Sequence, residues 1–159
     1  MKMSETVAIT THRVFQGQMN EHDSLFGGQT LSWLDENASI SAHRFSRRQL
    51  VTGSVDSMVY VNPVEIGHAL MYASVITGVG KKSLEVFTKM IGEDLDTGRR
   101  YLAAYAFTTF VSMNSDPLPT LEADVEEGQK LAAGYATRRA ENKRRLKSMP
   151  DVSLDVVPY

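Results

Sequence analysis

Asp35 stands four residues after Leu31 and three before Ala38, so helical geometry sets a carboxylate within or beside an apolar stripe. An apolar face excludes an acid unless it is paired or hydrogen-bonded, and a carboxylate in a dry cleft moves toward a raised pKa, as a general base working near neutrality requires. The alternative is an Asp35 at the edge of the stripe, solvated or hydrogen-bonded to Ser39. Gly27 and Gly28 come just before the stripe. Free N–H groups at a helix start, beside the positive end of its dipole, suit an oxyanion or a polarised carbonyl, although such a glycine pair also serves simply as a turn. Asn20 lies in the polar loop ahead of them, where its amide either orients a water or carbonyl oxygen or makes a turn.

Other constellations do not assemble. The nearest approach to a nucleophile elbow, Gly53-Ser54-Val55-Asp56-Ser57, falls inside a strand pattern, whereas the elbow needs a strand-to-helix turn. His12, His22, His43 and His68 show no ligand spacing, so no metal site is expected. Two basic groups remain: Lys81-Lys82 beside a glycine turn, and Arg138, Arg139, Lys143, Arg144, Arg145 and Lys147 against the single acid Glu141. They either meet the phosphates of a nucleotide-bearing ligand or form a solvated face that complements a helix dipole.

The chain has 159 residues, enough for one domain at about 100–200 residues per domain. A formal charge of −2 creates no global field to draw nucleic acid or an anionic membrane. The absence of cysteine excludes disulfides, thiolate metal sites and a cysteine nucleophile, and it fits a reducing compartment. No run approaches the ~18 consecutive apolar residues of a membrane span, and the start lacks the apolar core of a signal peptide; a cytoplasmic protein is expected.

Period-2 alternation over Thr6 to Phe15 predicts a strand with Val7, Ile9, Thr11, Arg13 and Phe15 on one half-buried face,. Beyond a polar loop, Leu31, Leu34, Ala38, Ser41, Ala42 and Phe45 recur at helical spacing over about 18 residues, roughly 27 Å of helix. Four strand-like runs follow, at residues 50–61, 70–79, 84–91 and 101–113. Hairpin-length connections make them a four-strand meander and the class α+β, with a five-stranded, mainly antiparallel sheet. Residues 121–147 read as a second, mostly exposed helix with i,i+4 pairs such as Glu126–Lys130, and residues 150–159 as a loose tail,.

Taken together, the run Asn20 to Gly28, Leu34-Asp35-Glu36, Val51-Thr52, Val59-Tyr60-Val61-Asn62-Pro63-Val64 with Gly67, Val79 to Val86, and Phe107-Thr108-Thr109-Phe110-Val111 resemble the hotdog-fold acyl-CoA thioesterases. Within them they are similar to the small bacterial acyl-CoA hydrolases related to cytosolic brain-type acyl-CoA hydrolase. The resemblance covers residues 8–120. It implies a hotdog domain over residues 1–120, in which a curved antiparallel sheet wraps a long central helix; the mostly exposed C-terminal helix, bounded at 121–149, lies outside the match. It also implies self-association to a dimer or a trimer of dimers, with two sites between protomers, and hydrolysis of acyl-CoA to a free acid and CoA. No separate cofactor is implied, since CoA is part of the substrate.

In such enzymes the Asp at the position of Asp35 is general base or nucleophile, the Asn at the position of Asn20 assists from the partner subunit, and the helix N-terminus at Gly28 polarises the thioester carbonyl. Gly27 and the turn Gly80, Lys81, Lys82 and Ser83 are the expected substrate contacts, while Trp33 and the apolar strand faces either line an acyl channel or form plain core. The family commonly has Gly where this chain has Asp23. A non-catalytic acyl-CoA sensor on the same fold is the alternative, but such regulators carry a DNA-binding helical segment and the start of this chain is strand-like. A hotdog dehydratase needs a His near the Asp on the central helix, and His43 lies eight residues beyond Asp35.

Overall fold

The computed structural model describes residues 1–155. Strand β1 (Ala8–Arg13) leads through a loop to helix α1 (Gly27–Ser46), followed by β2 (Leu50–Tyr60), β3 (Ala69–Val79), β4 (Ser83–Glu93), β5 (Arg100–Ser112), α2 (Glu126–Ala133) and α3 (Tyr135–Lys147). The strands form one sheet in the order β1-β3-β4-β5-β2, antiparallel at every pairing. Only β3-β4-β5 is a meander. The expected four-strand meander fails at β2, which pairs with β5 at the far edge instead of with β3. Alternation specifies which faces a strand presents and not which strand lies beside it.

Helix α1 packs on one face of this sheet and touches all five strands. It ends at Arg47 in the left-handed region (φ 54°), whose N–H bonds the His43 carbonyl, while His43 and Arg44 place basic groups in the last turn,. Its buried face is Thr30, Trp33, Leu34, Asn37, Ala38, Ser41, Ala42 and Phe45. Leu31, expected in the stripe, is 39% exposed. The buried arc is rotated toward Trp33 and Asn37, which leaves Leu31 and Asp35, one turn apart, together on the flank,.

The face assigned to the first strand is also reversed. Ala8 and Val14 are buried, whereas Ile9 is 60% and Phe15 61% exposed. The register opposes Ala8 to Ser74, Thr10 to Tyr72 and His12 to Leu70, and these β3 residues are the buried ones on the helix side. Directly opposed residues share a face, so the even-numbered residues of β1 turn inward. The buried Asn37 amide is satisfied there. With the Asn37 amide oriented so that its oxygen accepts from Thr10 N and Oγ1 (3.2 and 3.0 Å) and its nitrogen donates to Ala8 O and Ser74 Oγ (3.2 and 2.5 Å), every contact is complementary. The opposite orientation pairs only Thr10 Oγ1 and Ser74 Oγ with it, so the network selects the first. Ser74 in turn meets Thr88 Oγ1 at 2.7 Å.

This polar belt separates two apolar clusters. One gathers Leu25, Trp33, Leu34, Leu70, Tyr72 and Met90, and the other Ala38, Ala42, Phe45, Ile76, Val86 and Phe110. Trp33 is thus core, stacked on His12 with ring centroids 4.2 Å apart and 8° between planes. Burial holds His12 below its ordinary 6.5, against the opposing pull of Glu36.

The opposite face of the sheet receives α2 and α3. A single helix over 121–147 is replaced by two, broken at Gly134. The break accommodates Arg138, whose Nη1 lies 2.4 Å from where a Cβ on Gly134 would stand. The Arg138 guanidinium grips Glu85 through two bonds of 3.0 and 2.7 Å, also donates to Leu131 O, and lies 4.2 Å from the Phe107 ring centroid. Glu85 is 3% exposed and accepts from Thr77 Oγ1 as well. Arg145 bonds the Asp56 carboxylate and carbonyl at 3.2 and 2.9 Å. Two cations of the basic segment therefore anchor the helix. Residues 150–155 have no helix or strand, and residues 156–159 of the expected tail lie outside the described residues.

Removing Arg138 strands a buried carboxylate, which costs about 3–5 kcal/mol. Arg138→Ala is expected to lose that much in urea unfolding, and Arg138→Lys to recover only part of it, because the two-point grip needs the guanidinium fork. His12 has its folded pKa lowered below the unfolded 6.5, so the unfolded chain binds the proton more readily. Stability is expected to fall as pH drops below 6.5 toward the folded value, and urea titrations of His12→Phe should lose that part of the pH dependence.

Candidate active site

Strand β2 runs back along α1 and meets it twice. At one end the Tyr60 hydroxyl donates to Gly27 O at 3.1 Å; at the other, Thr52 Oγ1 donates to Asp35 Oδ1 at 2.7 Å. Asp35 is exposed in the single chain, so one protomer does not supply the dry cleft expected around it. Ser39 is not its partner, because that hydroxyl bonds Glu36 O. The group that orients Asp35 is Thr52, to which no role is attached in the sequence reading. The Val51-Thr52 pair is visible there, but nothing in its spacing says that a hydroxyl seventeen residues downstream returns to the helix.

Asn20 organises its own loop. Its Oδ1 accepts from the His22 and Ser24 amides at 2.9 and 3.1 Å, and Asn20 N bonds Ser24 O at 2.8 Å. This is an Asx turn. Asp23 inside it has φ +56°, a left-handed conformation that glycine adopts freely and that Asp tolerates better than most residues. Geometry thus accounts for a position where glycine is usual. The loop and the start of α1 enclose a cavity of about 400 Å³, lined by Asn20, Ser24, Gly27, Tyr60, Asn62 and Ala104 among others. Phe26, extended, precedes the helix without a side-chain cap. The N–H groups of Gly27 and Gly28 donate to no protein acceptor among the described residues, the condition for an anion or carbonyl oxygen to be held there.

Asn20 and Gly27 therefore share one cavity, Gly28 is only the next residue of the helix and does not line it, and Asp35 is not with them. It lies eight residues beyond Gly27, about 12 Å along the helix axis. The turn between β3 and β4 forms a third location. Gly80 N bonds Ser83 O at 2.7 Å, Lys82 O accepts from Ser112 N, and Lys81 and Lys82 are exposed. Among the described residues no three His, Asp or Glu side chains gather as a metal site, and no helix is long and apolar enough to cross a membrane. Beside Asp35, the outer edge of β2 faces no other strand among the described residues, and Leu31, Val51, Val55 and Val59 are exposed.

A family profile described as "Thioesterase superfamily" matches residues 22–98. The chain is 41% identical over 145 residues to an uncharacterized acyl-CoA thioester hydrolase, YkhA, of Bacillus subtilis, an alignment covering 89% of this chain and 84% of the relative. A hexameric acyl-CoA thioesterase superimposes with a TM-score of 0.90 at 27% identity, over 94% of this chain and 98% of that one. An acyl-CoA hydrolase of Staphylococcus aureus in complex with butyryl-CoA, CoA and CoA disulfide superimposes with a TM-score of 0.86 at 28% identity, over 93% of each chain. Structures of that enzyme also exist with alanine replacing one Asp, one Thr and one Asn, the last with CoA bound. Sharing two-fifths of its residues with such a relative across most of both lengths, on the same sheet and central helix, the chain belongs to the hotdog-fold acyl-CoA thioester hydrolases of the thioesterase superfamily.

Proposed function

We propose that this protein hydrolyses the thioester of acyl-CoA to a free acid and CoA at composite sites, in which Asp35 and Thr52 of one protomer face Asn20 and the Gly27–Gly28 helix start of another. The observation that carries this reading is the separation of the two halves within one chain, together with the open apolar edge of β2 beside Asp35. A two-fold pairing of that edge with its copy would cover the exposed valines and shelter Asp35. The reading extends to a dimer or a trimer of dimers, the second in keeping with the hexameric neighbour. It places the reaction in the cytoplasm, the reducing setting that a cysteine-free chain fits,.

Asp35 takes a proton from a water that attacks the thioester carbonyl carbon. Thr52 donates to one carboxylate oxygen and leaves the other free to accept that proton. The Gly28 N–H, unengaged and at the positive end of the helix dipole, stabilises the oxyanion, and Asn20 positions the water or the carbonyl. As the intermediate collapses, the C–S bond breaks and the proton held by Asp35 passes to the CoA sulfur. Direct attack by Asp35 through a mixed anhydride uses the same residues; oxygen-18 in the enzyme after one turnover would mark that route. Gly80, Lys81, Lys82 and Ser83 serve the CoA portion. The Asn, Asp and Thr replaced in the S. aureus structures are spaced 15 and 17 residues apart, as Asn20, Asp35 and Thr52 are here, which supports the three roles.

Asp35→Ala is expected to lower kcat by about 10²–10⁴-fold in a thiol-release assay over a panel of acyl-CoAs; unchanged turnover would contradict the mechanism. Val55→Lys/Val59→Lys places charges along the β2 edge and is expected to reduce the particle to single-chain mass by light scattering, with hydrolysis lost in parallel. A variant that is monomeric and fully active would exclude the composite site.

A further inference from the structure

Tyr60 is the last residue of β2, and the backbone around it is fastened. It stands opposite Ala104 of β5, the next two amides, Val61 N and Asn62 N, both donate to Ala103 O, and the Asn62 side chain donates to Leu102 O. The phenol is thus carried on the rigid end of a strand to the wall of the cavity that Asn20 and Gly27 share. There its hydroxyl donates to Gly27 O at 3.1 Å. Glycine at 27 permits this approach, since a Cβ there would stand 3.3 Å from the hydroxyl oxygen. Partial desolvation raises the phenol above its ordinary 10, so it stays protonated, and a donor, through the neutral range.

The carbonyl of Gly27 and the N–H of Gly28 belong to one planar, conjugated peptide unit, and that N–H donates to no protein acceptor among the described residues. A donor on the oxygen draws electron density out of the unit, leaves the nitrogen more positive and makes its N–H a stronger donor; such polarisation strengthens the next bond in a chain by about 10–30%. We infer that Tyr60 is a positioning residue for the thioester chemistry: its hydroxyl orients and polarises the Gly27–Gly28 peptide, whose free N–H meets the oxyanion. In this role it touches neither the substrate nor the reacting atoms. Negative charge develops on the carbonyl oxygen only as water adds, so the strengthened donor favours the transition state over the bound thioester, and its loss falls on kcat. The part of this N–H in hydrolysis rests on the thioesterase reading above; the polarised peptide does not.

Gly27-Gly28 is the only pair of consecutive glycines in the sequence. Glycine labelled with carbon-13 at the carbonyl and with nitrogen-15, supplied beside unlabelled serine, therefore gives one carbonyl-to-nitrogen correlation in the magnetic resonance spectrum, that of this peptide bond. Tyr60→Phe keeps the ring and removes the donor. In that variant of the whole chain the Gly27 carbonyl carbon and Gly28 nitrogen signals are expected to move upfield of their wild-type positions. kcat for butyryl-CoA should fall by about two- to tenfold, the loss of one hydrogen bond, with KM unchanged. Unmoved signals, or moved signals with wild-type kcat, would overturn the inference, as would a raised KM at unchanged kcat, the mark of a substrate contact. Signals that move with Tyr60→Phe in a protein whose wild type cleaves no thioester would uphold the polarised peptide and refute the thioesterase reading instead.

Discussion

Among the described residues, strand β2 offers its eleven residues of backbone to one neighbour, β5. Its other side presents donors and acceptors beside exposed valines, an arrangement that recruits a further strand unless something covers it. The same strand ties the layers of the molecule together. Register shifts at Thr52/Ser54 and Val55/Ser57 let Thr52 reach α1 while Asp56 reaches α3 on the opposite face. Whatever seats on the edge of β2 therefore acts on the carboxylate of Asp35, on the helix start through Tyr60, and on the docking of the C-terminal helix through Arg145.

The two faces of the sheet are stabilised differently. Beneath α1, two apolar clusters are separated by the Asn37, Ser74, Thr88 and Thr10 belt. A buried amide with four satisfied contacts adds little net free energy, but displacing it by one position would leave its partners unpaired, so it pins the helix to one register on the sheet. Across the sheet, α3 is held by carboxylates gripped by arginines, Glu85 by Arg138 and Asp56 by Arg145. These contacts owe more to geometry than to buried area, and they leave the remaining cations of that helix available to solvent or ligand.

Much of this is legible in the sequence. Helical spacing marked α1, alternation marked the strands, and the mismatch of an acid beside an apolar stripe marked Asp35. What failed depends on partners that spacing does not encode. The inner face of β1 is polar, Thr10 and His12, because Asn37 and Trp33 receive it, so hydrophobicity pointed to the wrong side. The place of β2 beside β5 and the return of Thr52 to Asp35 are long-range pairings. The break at Gly134 goes with Arg138, a residue of α3 that reaches back across it to Leu131 O, a tertiary contact that spacing does not encode. The position of Asn20 fits either a turn residue or an active-site amide; its hydrogen bonds make the turn, and its cavity lies at the helix start.

A site split between protomers has a consequence that no single variant reveals. If Asp35 and Asn20 act in one site from different chains, Asp35→Ala and Asn20→Ala proteins, each inactive alone, form mixed dimers in which one site carries both lesions and the other carries neither. After equal mixing under exchange conditions, acyl-CoA hydrolysis is predicted to return to about a quarter of the wild-type rate, since half of the dimers are mixed and each has one intact site of two. No recovery, in a sample shown by mass to contain mixed dimers, would contradict the shared site.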